Sequence, residues 1–305
     1  MNFYILAQQL TNGLVLGSVY GLIAVGYTMV YGVLGMINFA HGEIYMLAAY
    51  LTAIFLGLFV YLGLDNLFLN LSIALLCTIF LTALYSYSIN KLAYRPIRNS
   101  ARLSVLISAI GVSIVLQNYV QISQGSDTKG IPTLITGTLK FGSSTDFVQI
   151  SYIQLSILIT ALVGMYVLNK IVNSTAMGRN MRATQQDKIM ASLLGINTDQ
   201  VISNVFIIGA IMAAIAGFLV SINYGSFDFY IGFITGIKAF TAAVLGGIGS
   251  LPGAMLGGII LGLAESLFSG FVDTNYKDVF AFGLLIVILV FKPNGLLGKP
   301  IINKI

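Results

Sequence analysis

Charged residues are scarce in this chain and absent from its first 42 positions. Asp, Glu, Lys and Arg make up only 8% of its 305 residues, whereas an ordinary soluble domain carries about 25%. Hydrophobic residues make up 57%, and the mean hydropathy is +0.94. So little polar surface excludes a water-soluble globular fold.

Other features are missing as well. Cys77, the only cysteine, lies inside an apolar run, which excludes a disulfide framework and a cysteine-based metal motif. No cationic region precedes the first apolar stretch, so we expect residues 1–30 to be a retained span and not a cleaved signal peptide. The sequence contains neither a Gly-x-x-x-x-Gly-Lys-Ser/Thr phosphate loop nor an evident nucleophile–base arrangement. We therefore expect no cofactor, no metal and no enzymatic chemistry in this chain.

Between the few charges lie seven uncharged runs of bilayer-spanning length. A spanning helix needs about 20 apolar residues to cross about 30 Å of hydrocarbon. The runs are 1–42, 44–64, 66–90, 103–126, 147–169, 200–227 and 239–264. They predict an all-α polytopic membrane protein.

The cations behind the net charge of +5 form short clusters between the apolar runs. This placement indicates membrane topology and not a face for nucleic acid, and cationic connections lie in the cytoplasm. The clusters are Lys91, Arg95, Arg98 and Arg102; Lys170, Arg179, Arg182 and Lys188; and Lys292, Lys299 and Lys304. The other connections should face outward, since 62–66, 124–147 and 272–278 carry Asp65, Asp127, Asp146, Asp273 and Asp278 against Lys129, Lys140 and Lys277.

Threading the chain through these sides predicts eight full spans and one short or broken segment. The spans lie near 9–35, 44–62, 67–90, 103–123, 150–170, 200–222, 254–271 and 278–292, and the short segment near 231–249. The N-terminus is then outside and the C-terminus in the cytoplasm. We expect residues 1–305 to form a single transmembrane domain.

Small residues recur every four positions within the spans. The ladders are Gly13, Gly17 and Gly21; Gly209, Ala213 and Gly217; and Gly253, Gly257, Gly258 and Gly262. Membrane helices associate closely at such residues because lipid supplies little hydrophobic drive between helices. The ladders therefore predict tight helix–helix contacts.

Two glycine-rich segments, 35–43 and 246–253, interrupt the apolar pattern in similar contexts. Each follows a descending span and precedes an ascending one, and paired broken segments point to a transport pathway. The candidate pathway or gating residues are Asn38, His41, Gly42, Glu43, Gly249 and Ser250. Two interpretations stay open at the first break: Glu43 and Asn38 cap a helix over 44–62, or they take part in gating or substrate passage.

Lys238 and Glu265 are charges that no loop accommodates. Counting from the nearest outer loops at 1.5 Å per residue places both roughly 12–15 Å inside the membrane. Charges at that depth usually pair or face a cavity. We expect the two to compensate each other, either as a structural pair or as one that contacts an amino acid.

The longest cytoplasmic connection, about 178–197, contains no Gly or Pro in its middle and predicts one helix over 180–194. Gly195 fits its end, and Asn197 or Thr198 fits the start of the next span. Its apolar residues are ones that a solvated helix does not need and that suit docking into a groove of another protein. They are Met181, Ile189, Met190, Leu193 and Leu194.

This connection resembles the coupling segment of the permeases of ATP-binding-cassette importers. Arg182-Ala183 stands at the start of that pattern, Asp187 in its middle, and Ala191 through Gly195 at its end. The form is that of the bacterial branched-chain amino acid permeases, and the chain is similar to the smaller permease subunit of leucine/isoleucine/valine importers. The resemblance also covers 26–32, 35–43, 94–96, 107–111, 116–119, 191–198 and 238–252.

The resemblance implies an assembly in the bacterial inner membrane. It comprises a homologous second permease, two cytoplasmic ATPases that bind ATP and Mg²⁺, an external binding protein, and lipid. It also implies that Arg182, Ala183, Asp187, Ala191 and Gly195 couple the ATPases to transport. A urea or short-amide permease of the same family remains an alternative, as does an ion-coupled secondary transporter that uses Glu43, Lys238 or Glu265.

Overall fold

The computed structural model describes residues 3–98, 100–142 and 147–298, apart from the side chain of Arg102. Asp146, Lys299 and Lys304, which entered the topology prediction, lie outside these ranges. The helices are α1 (Phe3–Leu34), α2 (His41–Tyr61), α3 (Leu67–Ile89), α4 (Arg102–Gln124), α5 (Tyr152–Ser174), α6 (Ala176–Gln186), α7 (Lys188–Leu193), α8 (Thr198–Tyr224), α9 (Ile231–Gly246), α10 (Leu251–Phe271) and α11 (Lys277–Phe291). A π-helical turn, Asn90–Tyr94, continues α3.

Seven of the described helices are long and apolar enough to cross a membrane, namely α1 to α5, α8 and α10. Helix α9, with 16 residues, is apolar but short, as expected for the broken segment. Helix α11 has 15 residues and is therefore about 22 Å long at 1.5 Å per residue. The eighth predicted span is present as a helix, but it is shorter than the hydrocarbon core because it ends before Lys292 and Pro293.

Helix ends coincide with residues that satisfy free backbone groups. The side chains of Asn66, Asn197 and Ser250 accept hydrogen bonds from the first turns of α3, α8 and α10. Gly35 and Gly195 follow α1 and α7 with φ of 68° and 83°, a left-handed conformation that glycine adopts without a Cβ clash. The predictions for Asn197 and Gly195 are confirmed.

Four short strands lie outside the helices and were not predicted from the sequence. Strand β1 (Lys129–Gly130) pairs antiparallel with β4 (Ser226–Phe227). Strands β2 (Thr138–Gly142) and β3 (Phe147–Ser151) form an antiparallel hairpin with Thr138 opposite Ser151. The loop predicted over 124–147 is thus partly extended structure, although the fold remains predominantly helical.

The chain divides into two compact units, and the divisions fall within α1, α5 and α9 and between Leu134 and Ile135. The first unit contains residues up to Thr28, 135–169 and the chain from Lys238. Its α1 packs on α10 through glycine: a Cβ at Gly17 would lie 2.6 Å from the Ile259 Cα. The sequence analysis expected each glycine ladder to mark a tight helix–helix contact. This is confirmed for the first and third ladders, which contact each other.

The second unit contains residues 29–134 and 170–237. Here Gly217 of α8 leaves room for α2, since a Cβ at Gly217 would lie 2.5 Å from the Tyr45 carbonyl oxygen. Helix α3 exposes most of its surface but buries one stripe of small and polar residues at every fourth position. The stripe consists of Asn70, Ala74, Thr78, Thr82, Ser86 and Asn90.

Candidate functional site: the coupling segment, the two breaks and the buried charges

The first break lies in the second unit, where Asn38 holds an irregular turn between α1 and α2. Its Oδ1 accepts a hydrogen bond from the Ala40 backbone N–H at 3.2 Å and one from the Tyr94 hydroxyl at 2.6 Å. Both Asn38 and Tyr94 are buried. The predicted capping of local backbone by Asn38 is present, and Tyr94 is a partner that the sequence pattern did not indicate.

Glu43 lies in the first turn of α2, which begins at His41, three residues before the predicted start at 44. No side chain caps this helix. The Oε1 of Glu43 instead accepts a hydrogen bond from the Ser113 hydroxyl of α4 at 2.9 Å. Glu43 thus lies in the first turn of α2, as predicted, and its fully buried carboxyl also accepts a hydrogen bond from another helix. The carboxyl still lies at the positive end of the α2 dipole.

Gly42 lies where α2 crosses the start of α9. A Cβ at Gly42 would overlap the Gly232 carbonyl oxygen and lie 2.8 Å from the Gly236 Cα. His41 precedes it and is also buried. Four consecutive residues at the end of the break and the start of α2, 40–43, are therefore buried in protein.

The second break lies in the first unit, between α9 and α10. Gly247 and Gly249 have φ of 103° and 95°, and the Ser250 hydroxyl accepts from the Gly253 N–H at 3.2 Å. The carbonyls at the end of α9 are satisfied by a segment that follows α11. The backbone N–H of Leu296 donates to Leu245 O at 2.8 Å, and that of Leu297 donates to Gly246 O at 2.9 Å.

Lys238 is the centre of a buried charge cluster in the first unit. Its Nζ lies 2.6 Å from Glu265 Oε1 and 2.5 Å from Asp278 Oδ1. The Tyr20 hydroxyl donates to Glu265 Oε2 at 3.0 Å. The side chains of Lys238 and Glu265 are 5% and 3% exposed, and that of Asp278 is 40% exposed.

The structure thus brings together the two charges that the sequence paired. Asp278 joins them because α11 begins at Lys277, so Asp278 lies in the first helical turn and not in the predicted loop. The sequence analysis missed this third charge and the tyrosine. One ammonium with two carboxylates leaves the cluster with one surplus negative charge, on the carboxylate that water reaches.

The predicted single helix over 180–194 is wrong, since the segment consists of α6 and α7 with Asp187 between them. Asp187 has φ of −157°, which ends α6, and its Oδ1 accepts from the N–H groups of Ile189 and Met190 at 2.9 Å each. An aspartate competes with helical backbone by capping a new helix. The helix predicted over 180–194 is therefore interrupted at Asp187.

The other residues predicted to couple this segment to an ATPase have structural contacts within the chain. Arg182 donates to the Val172 carbonyl near the end of α5, and the Ala183 carbonyl accepts from the Asp187 N–H. Ala191 is 2% exposed, and Gly195 forms the left-handed end of α7. These contacts define the shape of the segment, and a coupling role for the residues stays a prediction.

The surface that the segment presents is apolar. On α7 and directly after it, the side chains of Ile189, Leu193 and Leu194 are 76%, 75% and 76% exposed. A helix of six residues is too short to be stable without its cap and neighbours.

An ionic cluster at the start of α8 lies beside this surface. Asp199 accepts from Arg98 at 2.7 Å and Arg95 at 3.0 Å, and Arg98 also donates to Asn90 Oδ1 at 2.9 Å. The pKa of Lys188 is lowered, first by burial and then by the charge of Arg98, while Asp199 opposes the change. No linear pattern linked these residues, which come from three separate stretches of the chain.

The comparisons with known proteins agree with one another. A family model described as "Branched-chain amino acid transport system / permease component" matches residues 9–289. The high-affinity branched-chain amino acid transport system permease protein LivH of Escherichia coli K12 is 50% identical over 304 residues, 99% of each chain. BraD of Pseudomonas aeruginosa, with the same description, is 51% identical over 98% of this chain and 97% of its own. LivM of Salmonella typhimurium, also described as a permease of such a system, is 25% identical over 92% of this chain and 68% of its own.

Proposed function

This chain belongs to the branched-chain amino acid transport permease family, and from that premise we propose that it moves leucine, isoleucine and valine into the cytoplasm as one membrane subunit of an ATP-driven importer. Relatives at about half identity over nearly the whole chain support the substrate class. The observation that carries the mechanism is α7, whose exposed apolar residues lie on a capped helix between two membrane spans.

The proposed assembly contains three further kinds of component. LivM-type relatives, which resemble this chain at lower identity, support a homologous second permease. Two cytoplasmic subunits would bind ATP and Mg²⁺, an extracytoplasmic protein would deliver the amino acid, and this chain would hold no cofactor. The clusters Lys91 to Arg98 and Lys170 to Lys188 support an orientation in the inner membrane with the N-terminus outside.

Contacts within the second unit offer a route from α7 to the first break. Gln185 at the end of α6 lies against α1, since its Nε2 is 3.4 Å from the Cβ position of Gly32. Asp199 connects the start of α8 to Arg95, which directly follows Tyr94 and its hydrogen bond to Asn38. We propose that ATP-driven displacement of α6 and α7 reaches residues 35–43 through these contacts.

Roles for the breaks follow from this proposal. In the proposed mechanism Asn38, His41, Gly42 and Glu43 move with the second unit, and Gly249 and Ser250 form the corresponding element of the first. The cluster at Lys238 would hold α1, α9, α10 and α11 together as a structural element. Alternating access then requires no ion-coupled step at Glu43 or Glu265.

Reconstitution tests this function. The complete complex in vesicles, with binding protein and radiolabelled leucine outside and ATP inside, should accumulate leucine, and a non-hydrolysable ATP analogue should stop uptake. Unlabelled valine and isoleucine should compete, and urea should not. Uptake by this chain under an imposed proton gradient without ATP would favour the ion-coupled alternative, and competition by urea alone would favour the amide permease.

Docking is tested with single cysteines. After Cys77→Ser removes the native thiol, cysteines at positions 189 and 193 should crosslink to the ATPase. A cysteine in place of Met181, which is 5% exposed, is the matched control in the same segment. Absence of crosslinks at both exposed positions would show that α7 does not dock there.

A further inference from the structure

Helix α7 begins with a cation that adjoins its exposed apolar residues. Lys188 is the first residue of α7 and directly precedes Ile189. Its side chain is partly buried, whereas the three apolar side chains that follow it on this surface are exposed. A partly buried ammonium is more costly to keep charged than an exposed one unless an anion accompanies it.

The neighbouring charges do not supply that anion. Asp187 directly precedes Lys188, but its Oδ1 caps the backbone of α7. The two oxygens of Asp199 already accept from Arg98 and Arg95. Among the residues that the structure describes, Lys188 forms no ion pair. The three cations Arg95, Arg98 and Lys188 therefore outnumber the carboxylates of Asp187 and Asp199 by one.

The remaining charge has a physical effect on Lys188. The pKa of its ammonium is lowered by burial and by repulsion from Arg98, so the charged form is destabilised in the isolated chain. Arg98 cannot move away, because its side chain is 5% exposed and bonded to Asp199 and Asn90. Interfaces commonly match such unpaired charge with opposite charge on the partner.

We propose that an aspartate or glutamate of the ATP-binding subunit contacts Lys188 when α7 docks. The docking surface then consists of an apolar contact by Ile189, Leu193 and Leu194 with one ion pair at the first residue of the helix. The partner surface is correspondingly an apolar groove with an acidic side chain at one edge. This inference rests on the proposed function, since it needs an ATP-binding partner at α7.

A zero-length carbodiimide crosslinker tests the contact in the whole complex. The reagent activates a carboxylate, which then forms an amide with a lysine amine in direct contact. We expect a permease–ATPase adduct in which mass spectrometry finds Lys188 joined to an Asp or Glu of the ATPase. Lys188→Arg keeps the charge but cannot form the amide, so the adduct should disappear. Lys170→Arg, the matched control, should retain the adduct.

Association measurements supply a second readout. Lys188→Met should weaken binding of the ATPase about two- to fivefold, the effect of one partly exposed ion pair, and should reduce its salt dependence. Lys188→Arg should keep the affinity and its salt dependence close to those of the unmodified chain.

The opposite results are equally clear. An adduct of Lys188 only with Asp199 or with an anionic lipid, or no Lys188 adduct while the cysteines at 189 and 193 still crosslink, would overturn this inference and leave the proposed function intact. If those cysteines also fail to crosslink, docking at α7 itself is wrong.

Discussion

Lys238 pairs with the carboxylates of both Glu265 and Asp278. Removing the charge of Lys238 should therefore destabilise the chain more than removing the charge of Glu265. Lys238→Met would leave Glu265 buried, at 3% exposure, and without its ammonium partner. Its carboxylate would keep the hydrogen bond from the Tyr20 hydroxyl. Removing one partner of a buried ion pair costs about 3–5 kcal/mol. Glu265→Gln would leave Lys238 paired with Asp278 and would keep an acceptor for Tyr20. Its cost should be that of one altered hydrogen bond, about 1–2 kcal/mol.

The assay is thermal stability of the purified chain, measured by size exclusion after heating. At about 2–4 °C per kcal/mol, Lys238→Met should lower the midpoint by roughly 6 °C or more, and Glu265→Gln by far less. The double variant should recover part of the loss of Lys238→Met, since the buried charge is then removed with its partner. Lys277→Met is the control, because Lys277 adjoins Asp278 but forms no ion pair among the described residues.

Equal destabilisation by both single variants would refute this reasoning. It would mean that Asp278 does not compensate Lys238 when Glu265 is neutral. A Lys238→Met protein as stable as the parent would go further and show that the cluster is not held by charge.

Changes at four other residues test the coupling segment and the breaks. Asp187→Ala should destabilise α7 by about 1 kcal/mol through loss of its cap and should raise the ATP hydrolysed per leucine transported. Asp187→Asn keeps the capping oxygen and should leave this ratio unchanged. Equal ratios for the two variants would refute the role of the cap. Gly42→Val should impair transport more than membrane insertion because a side chain there meets α9, and Gly249→Val should do so through its φ of 95°; normal leucine uptake by either variant contradicts this. Tyr94→Phe should lower leucine transport per ATP by removing the hydroxyl bonded to Asn38, and an unchanged ratio would remove that contact from the mechanism.

The membrane helices were predictable because charge and apolar length are linear properties of the chain. Helix α3 was predicted over 67–90 and is Leu67–Ile89, since Asn66 and the cations after it mark both ends. The split at Asp187 was not predictable from helix propensity. An aspartate can stand within a helix or cap the start of a new one, and the sequence alone does not distinguish these two positions. Strands β2 and β3 were missed because the hairpin was hidden in a connection assigned only by its charges.

The sites were predictable only in part. The pairing of Lys238 and Glu265 was predicted from their depth in the membrane, which follows from the bounds of the predicted spans. Asp278, Tyr94 and Ser113 were missed because their contacts join segments far apart in the chain. Contacts of that kind depend on which helix faces meet, and a single sequence carries little information on that.

The closure of the second break has a consequence for the order of biosynthesis. The carbonyls of Leu245 and Gly246 receive their hydrogen bonds from Leu296 and Leu297, which the ribosome adds about 50 residues later. At about 5–20 residues per second, these carbonyls wait about 3–10 s for their partners. The break can therefore reach its final conformation only after α10 and α11 have been made. A chain that stops before Leu296 would lack the two N–H groups that donate to the carbonyls of Leu245 and Gly246.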